Sequence, residues 1–327
     1  MNRSSVPPPV TRVLEASEAW LPRRMATVER RLTELVGGAA DPVGGEARAT
    51  LAAGGKRLRP MLVLLCAGPD AGDGATRAAT AIELVHMATL VHDDVLDAAP
   101  LRRGRPTVLV RAGREVATSV GDLMFSRAFA ELADGAPGDE RRVVLLARAS
   151  VGLAQGELMQ RRDAHDTSIS AGRYMERCRL KTARLFACAC VIGSEPRESD
   201  ERALDTYGRE IGLAFQLLDD VLDITGPPDR TGKARGTDLL DGTVTLPLIL
   251  ARERDRGLAA LELRKLDGAA AEHVCDRIAA TGALSEVRAD ARARVARAKA
   301  TLAETSLPPA QRELLELVAD GVVERYA

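Results

Sequence analysis

An all-α fold is predicted from the spacing of apolar residues and from the composition of the chain. Apolar residues recur every three or four positions through almost all of the 327 residues, which is the period of an amphipathic helix. Ala, Leu and Arg, which favour helices, dominate the sequence, and no strand-like alternation persists. Because the composition does not change along the chain, we predict one domain over residues 1–327, with a disordered tail at residues 1–9.

The apolar pattern divides the chain into helical segments that are separated by Gly, Pro and polar residues. The predicted helices are Val10–Val36 with a bend at Pro22, Pro42–Ala53, Arg59–Ala67, Gly74–Ala98, Arg114–Ala133, Glu140–Arg162, Ser168–Gly193, Glu198–Ile224, Pro247–Arg254, Ala269–Thr281, Leu284–Thr305 and Pro308–Tyr326. The segment Thr225–Thr237 (TGPPDRTGKARGT) is rich in Gly, Pro and basic residues. We interpret it as a mobile flap over an anionic ligand.

The charge of the chain is nearly balanced, with 46 Lys and Arg against 47 Asp and Glu. A nucleic-acid partner usually requires a basic face, so this balance argues against one. The N-terminal MNRSSVPPPV has no apolar targeting segment, and no apolar run reaches the ~20 residues that span a bilayer. The five cysteines form no CxxC pair, so we expect buried, reduced thiols. These features predict a soluble, cytoplasmic protein without a transmembrane segment.

Residues 83–97 (ELVHMATLVHDDVLD) end an apolar helical pattern with the carboxylates Asp93, Asp94 and Asp97. Helix residues four apart lie on one face with Cβ atoms roughly 5–6 Å apart, so Asp93 and Asp97 point the same way. Two like charges at that distance repel by about 3 kcal/mol at an effective dielectric of ~20. A bound cation would relieve this repulsion, and clustered carboxylates without thiolates or imidazoles suit Mg²⁺. The alternative is an acidic helix end whose charges are screened by water.

The same arrangement recurs at residues 215–223 (FQLLDDVLD), where Asp219, Asp220 and Asp223 end a second apolar helical pattern. Coincidence is a poor explanation for two apolar segments that both end in DDVLD. We therefore predict two facing helices that bind metal through these carboxylates.

Basic residues flank the acidic clusters, as expected where Mg²⁺ joins carboxylates to a diphosphate. The first cluster is followed by RRG at residues 102–104, and guanidinium groups bind phosphate oxygens in pairs. The segment GGKRLRP at residues 54–60 places one lysine and two arginines behind two glycines, which let the backbone approach an anion closely. Each of these basic groups, taken alone, could equally be a solvated surface residue.

Taken together, the motifs resemble those of the trans-isoprenyl diphosphate synthases, the polyprenyl synthetase family. The resemblance covers the chain from about Thr50 to the C-terminus and rests on both DDxxD motifs, GGKRLRP, RRG, Lys181-Thr182 and Gln216. It implies a single large helical bundle of the isoprenoid synthase type with a central cavity. It also implies a Mg²⁺-dependent prenyltransferase that condenses isopentenyl diphosphate with an allylic diphosphate, most like the medium- and long-chain members.

The resemblance assigns the candidate residues to two substrates and to the metal, which would comprise three Mg²⁺ ions once substrate is bound. Isopentenyl diphosphate would be bound by Lys56, Arg59, His86 and Arg103. The allylic diphosphate would be bound by Arg102, Lys181, Thr182, Gln216 and Lys233. Mg²⁺ would be bound by Asp93, Asp97 and Asp219, with Asp94, Asp220 and Asp223 as direct or water-mediated ligands. The residues expected to act in catalysis are Asp93, Asp97, Arg102, Lys181, Asp219 and Lys233.

The implied mechanism requires no protein nucleophile, in agreement with the lack of a Ser-His-Asp or Cys-His pattern in the sequence. Metal ions and basic residues would neutralise the diphosphate leaving group, and the double bond of isopentenyl diphosphate would attack the resulting allylic cation. One position departs from the family. Thr243, in DLLDGTVTLP (238–247), replaces a common lysine, and Lys233 or Arg235 could supply the lost phosphate contact.

Three other functions share parts of this pattern. A class I terpene cyclase would carry a different second metal motif, and a geranylgeranyl or farnesyl diphosphate synthase would differ in product length. A helper subunit would lack the carboxylate clusters that this chain has twice, although the chain could itself need such a helper. From the resemblance we expect a homodimer, or a heterodimer with a small helper subunit.

The length of the product is expected to depend on residues that precede the first acidic cluster. Ala88 and Thr89 are small, whereas family members that stop at fifteen carbons commonly carry an aromatic ring here. Val85 and Leu84 follow one turn deeper, and each cleared turn adds roughly 5.4 Å of depth. We therefore expect an all-trans product longer than twenty carbons. The floor of the cavity is expected at Met124 and Phe125.

Overall fold

The computed structural model describes residues 8–37, 42–102, 104–133, 138–194, 198–226 and 235–324, and most of these residues are helical. The first ten helices are α1 (Pro8–Ala16), α2 (Trp20–Gly37), α3 (Pro42–Ala52), α4 (Leu58–Ala67), α5 (Asp73–Leu96), α6 (Val108–Leu132), α7 (Asp139–Arg162), α8 (Ala171–Cys178), α9 (Arg184–Ile192) and α10 (Glu198–Thr225). Six more helices follow, at Thr237–Leu240, Leu246–Arg252, Arg256–Ala259, Gly268–Ala280, Ala283–Leu302 and Pro309–Glu324. The prediction of an all-α fold is confirmed.

Three short elements join these helices within the described residues. A π-helical turn at Arg179–Ala183 lies between α8 and α9, and a 3₁₀ turn spans Leu263–Lys265. Strands β1 (Leu101–Arg102) and β2 (Arg105–Pro106) form a minimal antiparallel hairpin after α5. The hairpin matters because it carries one of the predicted site arginines, Arg102.

Helix α5 lies at the centre of the bundle and packs against α2, α4, α6, α7 and α9. Most of its length is buried on all sides, and Ile82, Leu84 and Val85 are fully buried. A helix with this composition is typical of the core of a large protein. Its two ends approach the surface, and the first acidic cluster lies at the C-terminal one.

Small residues allow close packing around the π-helical turn. A Cβ atom added at Gly156 of α7 would lie 2.6 Å from the backbone nitrogen of Lys181, and one added at Gly212 of α10 would lie 2.6 Å from the Cα atom of Ala183. Real Cβ contacts do not come this close, so both helices depend on glycine at these positions. The turn is thereby fixed between α7 and α10.

The predicted helix Val10–Val36 is in fact two helices, which is a correction to the sequence analysis. The chain breaks after Ala16, where Glu18 and Ala19 adopt positive φ values of 49° and 66°. Pro22, which was expected to bend one helix, lies in the first turn of α2. Proline is tolerated there because its missing N–H would have had no partner in the helix.

Two other predicted helices also differ from the structure. Helix α6 begins at Val108 rather than Arg114, because the Thr107 side chain caps it by accepting a hydrogen bond from the Val110 nitrogen at 3.4 Å. The chain kinks at Gly113 (φ 83°). The sequence analysis therefore began the helix after this glycine and did not include the residues before it. The predicted helix Ser168–Gly193 is interrupted by the π-helical turn. None of the helices in the described residues combines the length and apolar character needed to cross a membrane.

Candidate active site

The first acidic cluster occupies the last turn of α5. Asp93 is partly buried, and Asp97 is the exposed residue that ends the helix. Burial raises the pKa of Asp93 to about 6, although the nearby positive charge of Lys181 opposes this rise. A carboxylate held in this way gains from a neighbouring cation, whether a side chain or a metal.

The environment of Asp94 differs from those of Asp93 and Asp97. The residue is 4% exposed, and its Oδ1 atom accepts a hydrogen bond from Arg102 Nε at 2.7 Å. The backbone oxygen of Asp94 also accepts a hydrogen bond from the Ala99 nitrogen. Asp94 therefore ties the hairpin to the end of α5.

The second acidic cluster, near the end of α10, shows the same division between outer and middle carboxylates. Asp219 is exposed, and Asp223 accepts a hydrogen bond from the Asp238 nitrogen at 3.3 Å. The middle residue, Asp220, is buried and accepts hydrogen bonds from the Tyr174 hydroxyl at 2.5 Å and from Gln216 Nε2 at 2.7 Å. Burial raises the pKa of Asp220 to about 8.

Lys181 and Thr182, adjacent residues of the π-helical turn, link the two clusters. Lys181 Nζ lies 3.7 Å from Asp93 Oδ2. The Thr182 hydroxyl donates a hydrogen bond to Gln216 Oε1 at 2.7 Å, and the amide of Gln216 donates to Asp220. A π-helical turn changes the direction of successive side chains, and such turns are frequent at functional sites. Residues that lie far apart in the sequence are thus brought into one connected group.

Three polar residues of α7 complete this group, and the sequence analysis did not include them. Glu157 accepts hydrogen bonds from Lys181 Nζ and, at 2.9 Å, from Arg161 Nε. Arg161 Nη2 reaches Asp97 Oδ1 at 2.5 Å, and Gln160 Oε1 lies 3.3 Å from Lys181 Nζ. Glu157 and Arg161 are four residues apart, and this spacing predicts an ion pair on one face of a helix.

Opposing effects act on the pKa of Glu157. Burial alone would raise it, but the two cations that donate to its oxygens outweigh burial and lower the pKa below its usual value. Glu157 is therefore ionised at neutral pH.

The basic residues of the GGKRLRP segment lie in different environments. Arg57 adopts a left-handed conformation (φ 49°) and is 5% exposed. Its guanidinium donates hydrogen bonds to Glu29 at 2.6 Å and to Glu83 at 2.7 Å. Arg57 therefore joins α2 to α5 inside the protein.

Arg59 is held differently. Its guanidinium lies over the Phe186 ring, 4.4 Å from the ring centroid, and its Nε atom finds no hydrogen-bond acceptor among the residues that the structure describes. Burial lowers the pKa of Arg59 to about 10. Phe186 stacks on Phe215 at 5.5 Å, and Phe215 shares an apolar cleft with Lys56. Arg59 and Lys56 thus both lie near this aromatic pair.

His86 lines a second cleft, together with Asp94 and Arg102. The structure therefore places His86 in one cleft with a residue of the first acidic cluster. Two other predicted site residues, Arg103 and Lys233, and most of the predicted flap lie outside the described residues.

Arg235, which could have replaced the lysine missing at Thr243, is held elsewhere. Its Nε atom donates to the Ile224 carbonyl oxygen at 2.9 Å, and its Nη2 atom donates to Asp276 at 2.8 Å. The Thr243 nitrogen donates to the Asp238 carbonyl oxygen at 2.7 Å. These contacts fix the chain that follows the flap.

The residues predicted to set product length lie in the core beside α5. Leu84, Val85, Ala88 and Met124 are all fully buried. The Thr89 hydroxyl donates to the His86 carbonyl oxygen at 2.8 Å. Phe125 stacks on His92, with ring centroids 6.0 Å apart.

The acidic clusters suit a hard cation, since all of their ligand atoms are oxygens. Within the described part of the chain, no three acidic, histidine or cysteine side chains converge closely enough to hold an ion by themselves. Mg²⁺ usually keeps several waters and binds through one or two carboxylates plus phosphate oxygens. The donor set therefore fits a magnesium ion that arrives with a diphosphate.

Comparisons with known proteins identify the family of the chain. The family model described as "Polyprenyl synthetase" matches residues 44–279. The chain is 39% identical over 253 residues to heptaprenyl diphosphate synthase component 2 from Geobacillus stearothermophilus, which covers 76% of this chain and 78% of that protein. It is 38% identical over 211 residues to the geranylgeranyl diphosphate synthase from Methanosarcina mazei, which covers 62% of this chain and 65% of that protein.

A similar solved structure is that of polyprenyl synthase from Caulobacter crescentus, complexed with calcium and isoprenyl diphosphate. It has a TM-score of 0.88 and 36% identity, and the match covers 97% of this chain and 98% of the other. The resemblance inferred from the motifs is confirmed: the chain belongs to the polyprenyl synthetase family of prenyl diphosphate synthases, which are prenyltransferases.

Proposed function

We propose that the chain is an all-trans polyprenyl diphosphate synthase that condenses isopentenyl diphosphate with an allylic diphosphate in the presence of Mg²⁺. The observation that carries this proposal is the pair Lys181 and Thr182, which connects Asp93 of one acidic cluster to Gln216 and Asp220 of the other. A diphosphate between the clusters would meet oxygen ligands for its metal and a lysine for its own charge.

Burial supports the outer carboxylates of each motif as the metal ligands, because the middle ones, Asp94 and Asp220, are only 4% and 3% exposed. We assign the metal to Asp93, Asp97, Asp219 and Asp223, with Asp94 and Asp220 holding their neighbours in place. When bound, Mg²⁺ would neutralise the charge that develops on the diphosphate as the allylic C–O bond breaks. The proposal includes three Mg²⁺ ions, bound together with the substrate.

The chain's own side chains would bind the two substrates on either side of this metal. The allylic diphosphate would be bound by Arg102, Lys181, Thr182, Gln216 and Lys233. Isopentenyl diphosphate would be bound by Lys56, Arg59, His86 and Arg103. Arg59 supports this division, since its buried guanidinium has an Nε donor without an acceptor among the described residues and is well suited to bind an anion. Its aromatic neighbours would also keep water away from the allylic cation.

The proposal also covers the length of the product. Two relatives of nearly equal identity bear different names, heptaprenyl and geranylgeranyl diphosphate synthase, so similarity alone does not decide it. The small side chains of Ala88 and Thr89 favour a product longer than twenty carbons, because neither residue has an aromatic ring that could stop the growing chain. Geranylgeranyl diphosphate is the second candidate, favoured by the Methanosarcina relative.

An exposed apolar face on α7 supports the proposal of a homodimer. Val144, Val151 and Leu158 recur at intervals of seven residues and are 46%, 58% and 51% exposed. Side chains at this spacing lie on one face of the helix, and a second copy of the chain would cover them. The Geobacillus relative is named as component 2 of its enzyme, so a heterodimer with a helper subunit is the other candidate.

Substitution of single acidic residues tests the proposed metal site. We expect Asp93→Ala and Asp219→Ala to lower the condensation rate roughly 100-fold or more, because each removes a ligand of the ion that stabilises the leaving group. The melting temperature should stay close to that of the wild type, since each change also relieves repulsion between like charges. Rates are measured with radiolabelled isopentenyl diphosphate.

Asp205→Ala provides the matched control. Asp205 lies on α10 but pairs with Arg209 at 3.2 Å on the surface, so its loss should leave the rate unchanged. A near-normal rate in Asp93→Ala or Asp219→Ala would contradict the metal assignment.

A further inference from the structure

We infer that Glu157 is a positioning residue, which holds Lys181 and Arg161 so that both cations point at a diphosphate on the first acidic cluster. The inference rests on the proposed function, which supplies that diphosphate. Glu157 belongs to none of the motifs by which the site was predicted.

One carboxylate binds both cations. Glu157 Oε2 accepts a hydrogen bond from Lys181 Nζ, and Glu157 Oε1 accepts one from Arg161 Nε at 2.9 Å. The side chains of Glu157 and Lys181 are 15% and 23% exposed. Charge-assisted hydrogen bonds at such a partly buried site are stronger than surface ion pairs, where water competes.

The same two cations reach the two outer carboxylates of the first cluster. Lys181 Nζ lies 3.7 Å from Asp93 Oδ2, and Arg161 Nη2 lies 2.5 Å from Asp97 Oδ1. Each cation therefore spans from Glu157 to a proposed metal ligand. A diphosphate bound at that metal would lie within reach of both.

Helix α7 fixes Lys181 at both ends of its side chain. Gly156, next to Glu157, packs against the Lys181 backbone, so closely that an added Cβ would lie 2.6 Å from its nitrogen. Glu157 holds the ammonium group, with Gln160 Oε1 at 3.3 Å as a second acceptor. A lysine has a flexible four-carbon stem, and anchoring both ends removes most of the freedom that would otherwise be lost when the substrate binds.

A purely electrostatic role for Glu157 makes the opposite prediction. A carboxylate near a diphosphate repels it, so neutralising Glu157 would tighten substrate binding if charge were its only contribution. If Glu157 positions the cations, the neutral variant should instead react more slowly, because Lys181 and Arg161 would no longer be aimed at the leaving group.

The test uses Glu157→Gln in the full-length chain, with farnesyl diphosphate, isopentenyl diphosphate and Mg²⁺. We expect kcat to fall about tenfold or more, with a smaller change in the KM for isopentenyl diphosphate. In a Lys181→Met, Arg161→Met background, adding Glu157→Gln should cause no further loss, because the residue acts through those two cations. Glu176→Gln, which breaks an exposed pair with Arg179, is the matched control and should keep the wild-type rate.

Three results would overturn the inference while the wild type remains active. They are an unchanged kcat in Glu157→Gln, a lower KM for farnesyl diphosphate in that variant, and a loss of kcat on adding Glu157→Gln to the Lys181→Met, Arg161→Met background that equals the loss in the wild type. If Glu157→Gln does not fold, Arg161→Met alone tests the same contacts, and a normal rate in it would count against the inference. A wild type that is inactive with or without a helper subunit would instead refute the proposed function, together with everything that rests on it.

Discussion

At the scale of single residues, the middle aspartate of each motif organises the outer two. Asp94 is held by Arg102, and Asp220 is held by Tyr174 and Gln216. A buried carboxylate with such partners keeps one orientation, because turning it outward would leave their donors unpaired. The neighbouring outer carboxylates are positioned as a consequence.

The sequence predicted part of this arrangement. Helical spacing was enough to place Asp93 and Asp97 on one face. It did not show that Asp94 and Asp220 turn inward, because their partners depend on the tertiary fold: Tyr174 lies 46 residues from Asp220 along the chain. The sequence likewise did not separate Arg57 from the other basic residues of GGKRLRP, since only the fold reveals that Arg57 pairs with Glu29 and Glu83.

A residue-scale prediction concerns the length of the product. Ala88→Phe places a ring on the fully buried side of α5, where the growing prenyl chain is expected to pass. The product should become shorter, while the first condensation continues, because the ring lies below the reacting carbons. Overpacking should cost about 1–3 kcal/mol of stability, which melting temperatures would detect.

Ala291→Phe controls for overpacking alone. Ala291 is also fully buried, but it lies on the helix Ala283–Leu302 rather than on α5. It should lower stability without changing product length. An unchanged product from Ala88→Phe would show that the growing chain does not pass this position.

At the scale of elements, local signals predicted most helices, but they did not show where two helices meet or where a helix changes its geometry. Pro22 was read as a bend because proline disrupts helix interiors, whereas the break lies just before α2. The π-helical turn at Arg179–Ala183 leaves no mark in an apolar pattern of period 3.6. It is stabilised by contacts with α7 and α10, which are distant in sequence.

The exposed face of α7 leads to a prediction about assembly. Val151→Asp introduces a charge at the centre of the apolar stripe, and burying that charge between two copies would be costly. We expect the protein to shift from dimer to monomer in sedimentation velocity at equal concentration. Val110→Asp is the matched control, since Val110 is 57% exposed but lies on α6, outside the stripe. A wild type that is already an active monomer would refute the homodimer.

At the scale of the whole molecule, the all-α class and the family followed from motifs that are local in sequence. Buried apolar residues from Val13 to Val322 form one continuous core, while the extent of the domain over 1–327 stays a prediction. What the sequence could not supply was the connection between the clusters. That connection depends on α7 and on a turn whose residues, Lys181 and Thr182, look ordinary in a helical segment.

The most direct test of the central claim is the product that the purified chain makes by itself. The chain is incubated with farnesyl diphosphate, isopentenyl diphosphate and Mg²⁺, and the dephosphorylated products are separated by reversed-phase chromatography beside all-trans standards. We predict a Mg²⁺-dependent, all-trans product longer than twenty carbons. Products that stop at fifteen or twenty carbons would contradict the proposed length. A cyclic hydrocarbon, or no condensation with or without a helper subunit, would contradict the proposed reaction.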